Sequence, residues 1–301
     1  MCVWSVSALA NQNTRRGPRL LVQLAWAALT NGYAQGFAQG KIWRGASKGY
    51  CVPGLNCYSC PGALGACPLG ALQAALASGN YKFALYVTGF LLFFGAVLGR
   101  FVCGWLCPFG LVQDLLHRIP FPRKRKTLPG DRLLRWVKYL LLAGFVVLLP
   151  MFALDAFGQG SPWFCKWVCP SGTLLAGWPL AAANGALRAV LGALFAWKSA
   201  ILIVLILLSA AVYRPFCRYL CPLGAVYGLF NPIAFCRLKL DEEKCIGCGQ
   251  CRAACKLDLS PCRQPNSMEC IRCGDCLRAC PTGALTSTFP LTPRPRKERK
   301  P

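Results

Sequence analysis

The sequence predicts an α-helical integral membrane protein of about four transmembrane helices that ends in a small polar α+β domain. Three observations carry this. Hydrophobic residues make up 55% of the 301 and charged residues only 15%, too little charge for a hydrated globular surface. Long apolar runs recur up to Tyr213, measured against the roughly 20 residues a helix needs to cross a bilayer. After Pro222 the composition turns polar.

Four spans are predicted: Leu20 to Phe37, Phe83 to Phe101, Tyr139 to Phe157, and Ser199 to Tyr213. Gln23, Asn31 and Gln35 dilute the first, and the fourth is short unless Leu187 to Trp197 leads into it along the lipid surface. Ala8 and Ala10 form an A-x-A pattern, but Arg15, Arg16 and Arg19 follow it and no apolar core precedes it. Residues 1–19 therefore read as a cytoplasmic tail, and the first apolar stretch as an uncleaved anchor.

The formal net charge of +24 is read as topology, because a basic nucleic-acid binder would carry a polar folded surface in place of apolar runs. Residues 118–138 hold eight basic residues against Asp131 alone. Placing them on the cytoplasmic side of a cell membrane puts both termini in the cytoplasm and the loops 41–82 and 158–198 outside. Trp43, Trp105, Trp163, Trp167, Trp178 and Trp197 then fall near the interfaces. The expected organisation is a membrane domain over 20–230, a polar domain over 231–288, and a disordered Pro- and Lys/Arg-rich tail over 289–301.

Twenty-one cysteines would be extravagant in a reducing cytosol unless they held metal. Eight form two runs, Cys245-x2-Cys248-x2-Cys251-x3-Cys255 and Cys270-x2-Cys273-x2-Cys276-x3-Cys280-Pro281. This is the bacterial two-cluster ferredoxin spacing, in which three close thiolates hold three irons of a cubane and the fourth ligand comes from the other run. It assigns Cys245, Cys248, Cys251 and Cys280 to one 4Fe-4S cluster, and Cys270, Cys273, Cys276 and Cys255 to a second. Lys256 stands where proline is usual. Four-cysteine zinc sites also use C-x2-C, but zinc does not need two consecutive runs of this rhythm.

An internal repeat runs through the membrane part. Arg100-Phe-Val-Cys103-Gly-Trp-Leu-Cys107-Pro-Phe-Gly110 matches Arg214-Pro-Phe-Cys217-Arg-Tyr-Leu-Cys221-Pro-Leu-Gly224 at Arg, both Cys, Leu, Pro and Gly. Cys103, Cys107, Cys217 and Cys221 thus supply four thiolates for an inner cluster, with paired disulfides or free thiols as the rival reading. Arg100 and Arg214 are read either as offsets to cluster charge or as membrane-edge anchors. On the outer side Cys57, Cys60, Cys67, Cys165 and Cys169 are five candidates for a further cluster, with Cys51 a sixth, although an exterior compartment also permits disulfides. Cys2, Cys236 and Cys262 fit no pattern.

His117 is the single histidine, so no His pair for a membrane haem exists, and C-x-x-C-H is absent. His117 reads as an interface residue. Asp114 and Asp155 lie near span ends, as caps, edge charges or proton carriers near a quinone. No Gly-rich nucleotide loop, P-loop or Ser/His/Asp set occurs, so the chain reads as an electron-transfer subunit of an oxidoreductase with no catalytic residues of its own.

With C-x-x-x-C-P loops at span ends and a C-terminal two-cluster segment, the chain resembles the polyferredoxin-type membrane 4Fe-4S proteins, which include NapH-type quinol dehydrogenase subunits and the C-terminal half of NosR-type regulators. The loop Cys51-Val-Pro-Gly-Leu-Asn-Cys57-Tyr-Ser-Cys60-Pro through Cys67-Pro is similar to one in other members. Two external cysteine motifs exceed what the NapH-type subunit requires. The resemblance implies electron flow between a quinone pool or cytoplasmic donor and a partner redox protein, often flavin- or haem-bearing. The alternative is a factor that supplies electrons to assemble a metalloenzyme or reduce a metal ion.

Overall fold

The computed structural model describes residues 18–122, 124–154, 156 and 159–288. The A-x-A stretch, Cys2, Asp155 and the basic tail lie outside the described residues.

Among the described residues, three helices are long and apolar enough to cross a membrane: Tyr81–Leu98, Asp131–Phe152 and Ala193–Ala211. Eighteen residues rise about 27 Å, close to the thickness of a hydrocarbon core. Asn80 starts the first of them by accepting the backbone N–H of Phe83, and Gly99, at φ 53°, ends it. The third begins at Ala193, so it takes in the last five residues of the expected surface segment; only the short helix Gly185–Ala189 precedes it.

The expected first span differs. Residues 20–37 form two helices, Pro18–Thr30 and Ala34–Gln39, and the first, at 13 residues, rises only about 20 Å. The break has identifiable causes. Asn31 turns its side-chain amide onto the carbonyl of Ala27 (3.1 Å), and the carbonyl of Thr30 accepts the backbone N–H of Leu64 (2.9 Å). Tyr33 N–H goes to the carbonyl of Gly62 (3.2 Å). The cysteine-rich loop therefore takes the hydrogen bonds that helix continuation would have used. Gln23 is buried among polar groups of the protein, donating to the carbonyl of Gly104 (2.9 Å) and to Asp114 (3.2 Å).

Four short helices share one entry: Cys67-Pro68, Cys107-Pro108, Cys169-Pro170 and Cys221-Pro222 each put cysteine at the N-cap and proline at the first helical position. Proline pushes the residue before it into extended geometry and lacks the N–H that a first turn leaves orphaned, so the dipeptide both stops the incoming chain and starts the helix. All four N-cap cysteines are buried.

The polar segment is closed by an antiparallel pair, Leu238–Leu240 with Leu285–Ser287, in register Leu238 to Ser287. Between them lie two helical turns, Gln250–Ala253 and Asp275–Ala279. This segment is docked onto the membrane part by buried polar groups. Arg100, 1% exposed, donates to Glu269 (2.7 Å) and to the carbonyl of Met268 (3.0 Å), and Lys138 reaches the other Glu269 oxygen (2.5 Å). Burial alone would raise the Glu269 carboxyl, but Arg100 and Lys138 hold it down at about 2. Asn231, fully buried, accepts the N–H of Arg100 and donates to the carbonyls of Ser267 (2.7 Å) and Cys270 (2.8 Å).

Removing one partner of a buried pair strands the other charge. Glu269→Ala is expected to weaken docking by about 3–5 kcal/mol, seen as faster proteolytic cleavage within residues 237–288 while the three long helices stay intact. Cleavage at the wild-type rate would contradict this docking role.

Candidate iron-sulfur sites

The two cysteine runs of the polar segment close around two cavities. One is lined by Cys255, Cys270, Cys273 and Cys276, the other by Cys245, Cys248, Cys251 and Cys280. These are the two sets that the crossed-ligand pattern expects, and the chemistry of each donor set fits a cubane. Cys262, unassigned by spacing, also lines the second cavity and lies beside Cys251. The sequence carries no signal for it, since it belongs to neither run.

The inner repeat converges. Cys221 is within electrostatic reach of Cys217, Cys103 and Cys107, and Cys217 of Cys107. Each second cysteine is held by the helix it starts: Cys107 accepts the N–H of Gly110, and Cys221 that of Gly224 (3.4 Å). N–H groups at a helix start favour a thiolate there. Arg100 and Arg214 are not membrane-edge anchors. Both are buried, and each donates to the opposite motif: Arg100 to the carbonyl of Cys217 (2.8 Å), Arg214 to the carbonyl of Cys103. The passage is tight, because a Cβ on Gly110 would lie 3.1 Å from the Arg214 guanidinium and one on Gly224 3.2 Å from that of Arg100. Arg214 is braced by two hydrogen bonds to Asp114 (2.7 and 2.6 Å), which also pairs with Arg19. Asp114 is thus committed to two arginines, which argues for the edge-charge reading over a proton carrier.

Two glutamines escaped the sequence reading. Gln113 donates to the sulfur of Cys217 (3.1 Å) while its carbonyl accepts the N–H of Phe216 (3.2 Å). Gln73 does the same in the other set, to the sulfur of Cys165 (3.4 Å) and from the N–H of Phe164 (3.0 Å). The signal was present: each stands six residues after a Cys-Pro, in Cys67-Pro-Leu-Gly-Ala-Leu-Gln73 and Cys107-Pro-Phe-Gly-Leu-Val-Gln113.

The outer candidates divide. Cys57, Cys67, Cys165 and Cys169 are mutual neighbours. Cys60 turns its sulfur to the side-chain oxygen of Asn31 (3.7 Å), and Cys51 pairs through its backbone with Ala66, beside Cys67. The inner and outer sets are not segregated to opposite ends of the molecule. The loop that carries Cys51 and Cys57 dips into the core, where Gly54 packs against Cys107 and Pro53 accepts the hydroxyl hydrogen of Tyr227 (2.9 Å). Tyr227 is within electrostatic reach of Cys67 and Cys51 from one set and of Cys103 and Cys107 from the other. Cys67 and Cys169 of one set and all four cysteines of the other belong to one buried cluster that extends to Ile271 and Leu257 of the polar segment. His117 stands apart, against Tyr213 and the carbonyl of Ser209 (3.2 Å). Of the tryptophans expected at interfaces, Trp105 is fully buried, with its indole N–H on the carbonyl of Arg272 (3.0 Å).

This arrangement defines an iron-sulfur protein of ferredoxin type. The Fer4_5 model, described as a 4Fe-4S binding domain, matches residues 82–129, 138–178 and 193–240, each of which contains one C-x-x-x-C-P motif; Fer4, also a 4Fe-4S binding domain, matches 238–258 and 264–286. The chain belongs to the polyferredoxin-type 4Fe-4S binding proteins. It is 30% identical to the uncharacterized protein MJ0749 of Methanocaldococcus jannaschii over 63% of its own length, 31% to the ferredoxin-type protein NapH of Haemophilus influenzae over 60%, and 29% to the putative electron transport protein YccM of Escherichia coli over 53%. These alignments cover 65%, 57% and 42% of the relatives' own lengths. No solved structure matches the chain.

Hydrogen bonds to cluster sulfurs help set the reduction potential. A donor favours the more negative, reduced state, so Gln113→Leu is expected to move one midpoint potential to a more negative value with iron content unchanged, as read by an anaerobic redox titration. An unmoved potential would remove Gln113 from the site.

Proposed function

We propose that the chain carries electrons between its C-terminal ferredoxin segment and the cysteine sets of its membrane part, exchanging them with a quinone pool or a cytoplasmic donor at one end and with a partner redox protein at the other. Cys245, Cys248, Cys251 and Cys280 would hold one 4Fe-4S cluster, Cys255, Cys270, Cys273 and Cys276 a second, and Cys103, Cys107, Cys217 and Cys221 a third. When bound, such a cluster accepts and releases single electrons.

The observation that carries this reading is the seam between the two parts. The carbonyl of Ile271, one residue after Cys270, would lie 2.2 Å from a Cβ on Gly104, one residue after Cys103. Beside that seam the Trp105 indole bonds to the carbonyl of Arg272. Two loops that hold cysteine sets thus touch backbone to backbone, with only glycine allowing it. Around the seam, buried Arg100, Arg214 and Arg272 supply positive charge where thiolates and anionic clusters would otherwise raise a large desolvation cost.

A groove of about 710 Å³ supports the quinone or donor end. It is lined by Arg132, Trp136, Tyr139, Leu229, Met268 and Glu269 among others, mixing an apolar wall with a few polar groups, as small-molecule sites do. Glu269 joins it directly to Cys270. The groove opens where the helix Asp131–Phe152 meets the polar segment, and Trp136 is 64% exposed there. Positive-inside charge supports a cytoplasmic location for this end and for both termini.

Protein purified anaerobically should contain iron and acid-labile sulfide for cubanes in both parts. Gly104→Leu forces the seam apart, so electrons delivered to the ferredoxin segment should reach the membrane part more slowly in rapid-freeze spectroscopy, at unchanged iron content. Iron confined to the ferredoxin segment, or transfer at the wild-type rate in Gly104→Leu, would contradict the reading.

A further inference from the structure

The membrane part contains a motif that occurs four times, not twice. Cys67-Pro-Leu-Gly70, Cys107-Pro-Phe-Gly110, Cys169-Pro-Ser-Gly172 and Cys221-Pro-Leu-Gly224 each start a helix, and in each the cysteine sulfur accepts the N–H of the glycine three residues on. Three of the four have a second cysteine four residues earlier: Cys103, Cys165 and Cys217. The fourth has Ala63 there. The repeat therefore offers seven thiols for two sites, one short of two four-ligand sets.

The structure supplies the eighth from outside the repeat. A Cβ on Gly172 would lie 3.5 Å from the sulfur of Cys57, and one on Gly70 3.7 Å from the sulfur of Cys165. The motif glycines are thus the floor against which the opposing thiols rest, as Gly110 and Gly224 are for the arginines of the inner set. Cys60, nearer to the repeat in sequence, turns instead to Asn31.

We propose that Cys57, Cys67, Cys165 and Cys169 form a further 4Fe-4S binding site, with Cys60 as a bystander; this rests on the electron-carrier reading above and extends its path.

Two further features fit a cluster better than a pair of disulfides. Ser171 and Thr173, on the turn that follows Cys169, have buried hydroxyls with no hydrogen-bond partner among the described residues. An orphaned buried hydroxyl is costly, and a cluster sulfide would accept it. Positive charge is also provided. Lys198 donates to the carbonyl of Cys165 (3.0 Å), the bond that Arg100 makes to Cys217 and Arg214 makes to Cys103 in the inner set. Its ammonium would be 3.8 Å from a Cβ on Gly172, so it lies over the same floor as Cys57. A disulfide needs neither a cation nor free hydroxyls beside it. Gln73 completes the parallel, bonding to Cys165 as Gln113 bonds to Cys217.

The test compares Cys57→Ala, Cys60→Ala and Lys198→Met with the wild type, all purified anaerobically. Cys57→Ala is expected to lose the iron and sulfide of one cubane while the ferredoxin signals persist, which also reports that the chain has folded. Cys60→Ala is expected to keep the full iron content. Lys198→Met, with all ligands present, should keep its iron and show one midpoint potential shifted to a more negative value. Full iron in Cys57→Ala, loss of iron in Cys60→Ala, unchanged potentials in Lys198→Met, or a disulfide between these cysteines in the wild type by mass spectrometry would each overturn the site. None of those outcomes touches the ferredoxin or inner sets, whereas their absence from the wild type would defeat the carrier reading itself.

Discussion

Arg100 is closed off from solvent, and much of the molecule is arranged around the cost of keeping it there. An unpaired guanidinium in a low-dielectric interior is prohibitive, so its two terminal nitrogens are matched, and only Nε is left without a partner among the described residues. Glu269 and the carbonyl of Met268 do this from the ferredoxin segment, and the carbonyl of Cys217 from the second motif. One side chain therefore fixes three things: the angle of the first cysteine loop, its pairing with the second, and the seating of the ferredoxin segment on both. Lys138 balances Glu269 from the helix Asp131–Phe152, so the second long helix joins the same network.

The same logic explains why so much of the charge of a greasy chain is internal. Arg100, Arg214 and Lys138 are among the largest fully buried side chains. In a membrane such residues mark function, since their insertion is expensive unless something nearby is negative. Cysteine sets that would hold anionic clusters are that something. The net charge of +24 thus has two sources, exposed residues that the positive-inside rule reads and buried ones that it does not.

The ferredoxin segment was legible because its cysteines are local: the x2, x2, x3 rhythm carries its own geometry, and the two cavities are lined by the sets it groups. The three long helices were legible from hydropathy, and the Arg-to-Gly repeat announced the inner set. What escaped depends on contacts between distant segments. Nothing in Cys57-Tyr-Ser-Cys60 says which thiol faces Gly172, because the choice is made by Asn31 and by the loop's hydrogen bonds to Thr30 and Tyr33. Those same bonds divided the first expected span, whose apolar composition gave no hint of a break beyond Asn31-Gly32. Two cysteine sets were expected at opposite faces because span counting treats loops as surface features, whereas the loop carrying Cys57 folds back into the core to meet Cys107 and Tyr227.

That inward fold gives the molecule its central property, a continuous buried array in which the ferredoxin segment, the inner motif pair and the outer cysteines are neighbours. The most direct test is magnetic. In the fully reduced intact protein, the electron paramagnetic resonance spectrum should show spin-spin coupling between a ferredoxin-segment cluster and a membrane-part cluster, so that it differs from the sum of the isolated signals. A spectrum that is a simple sum of non-interacting clusters would contradict the account.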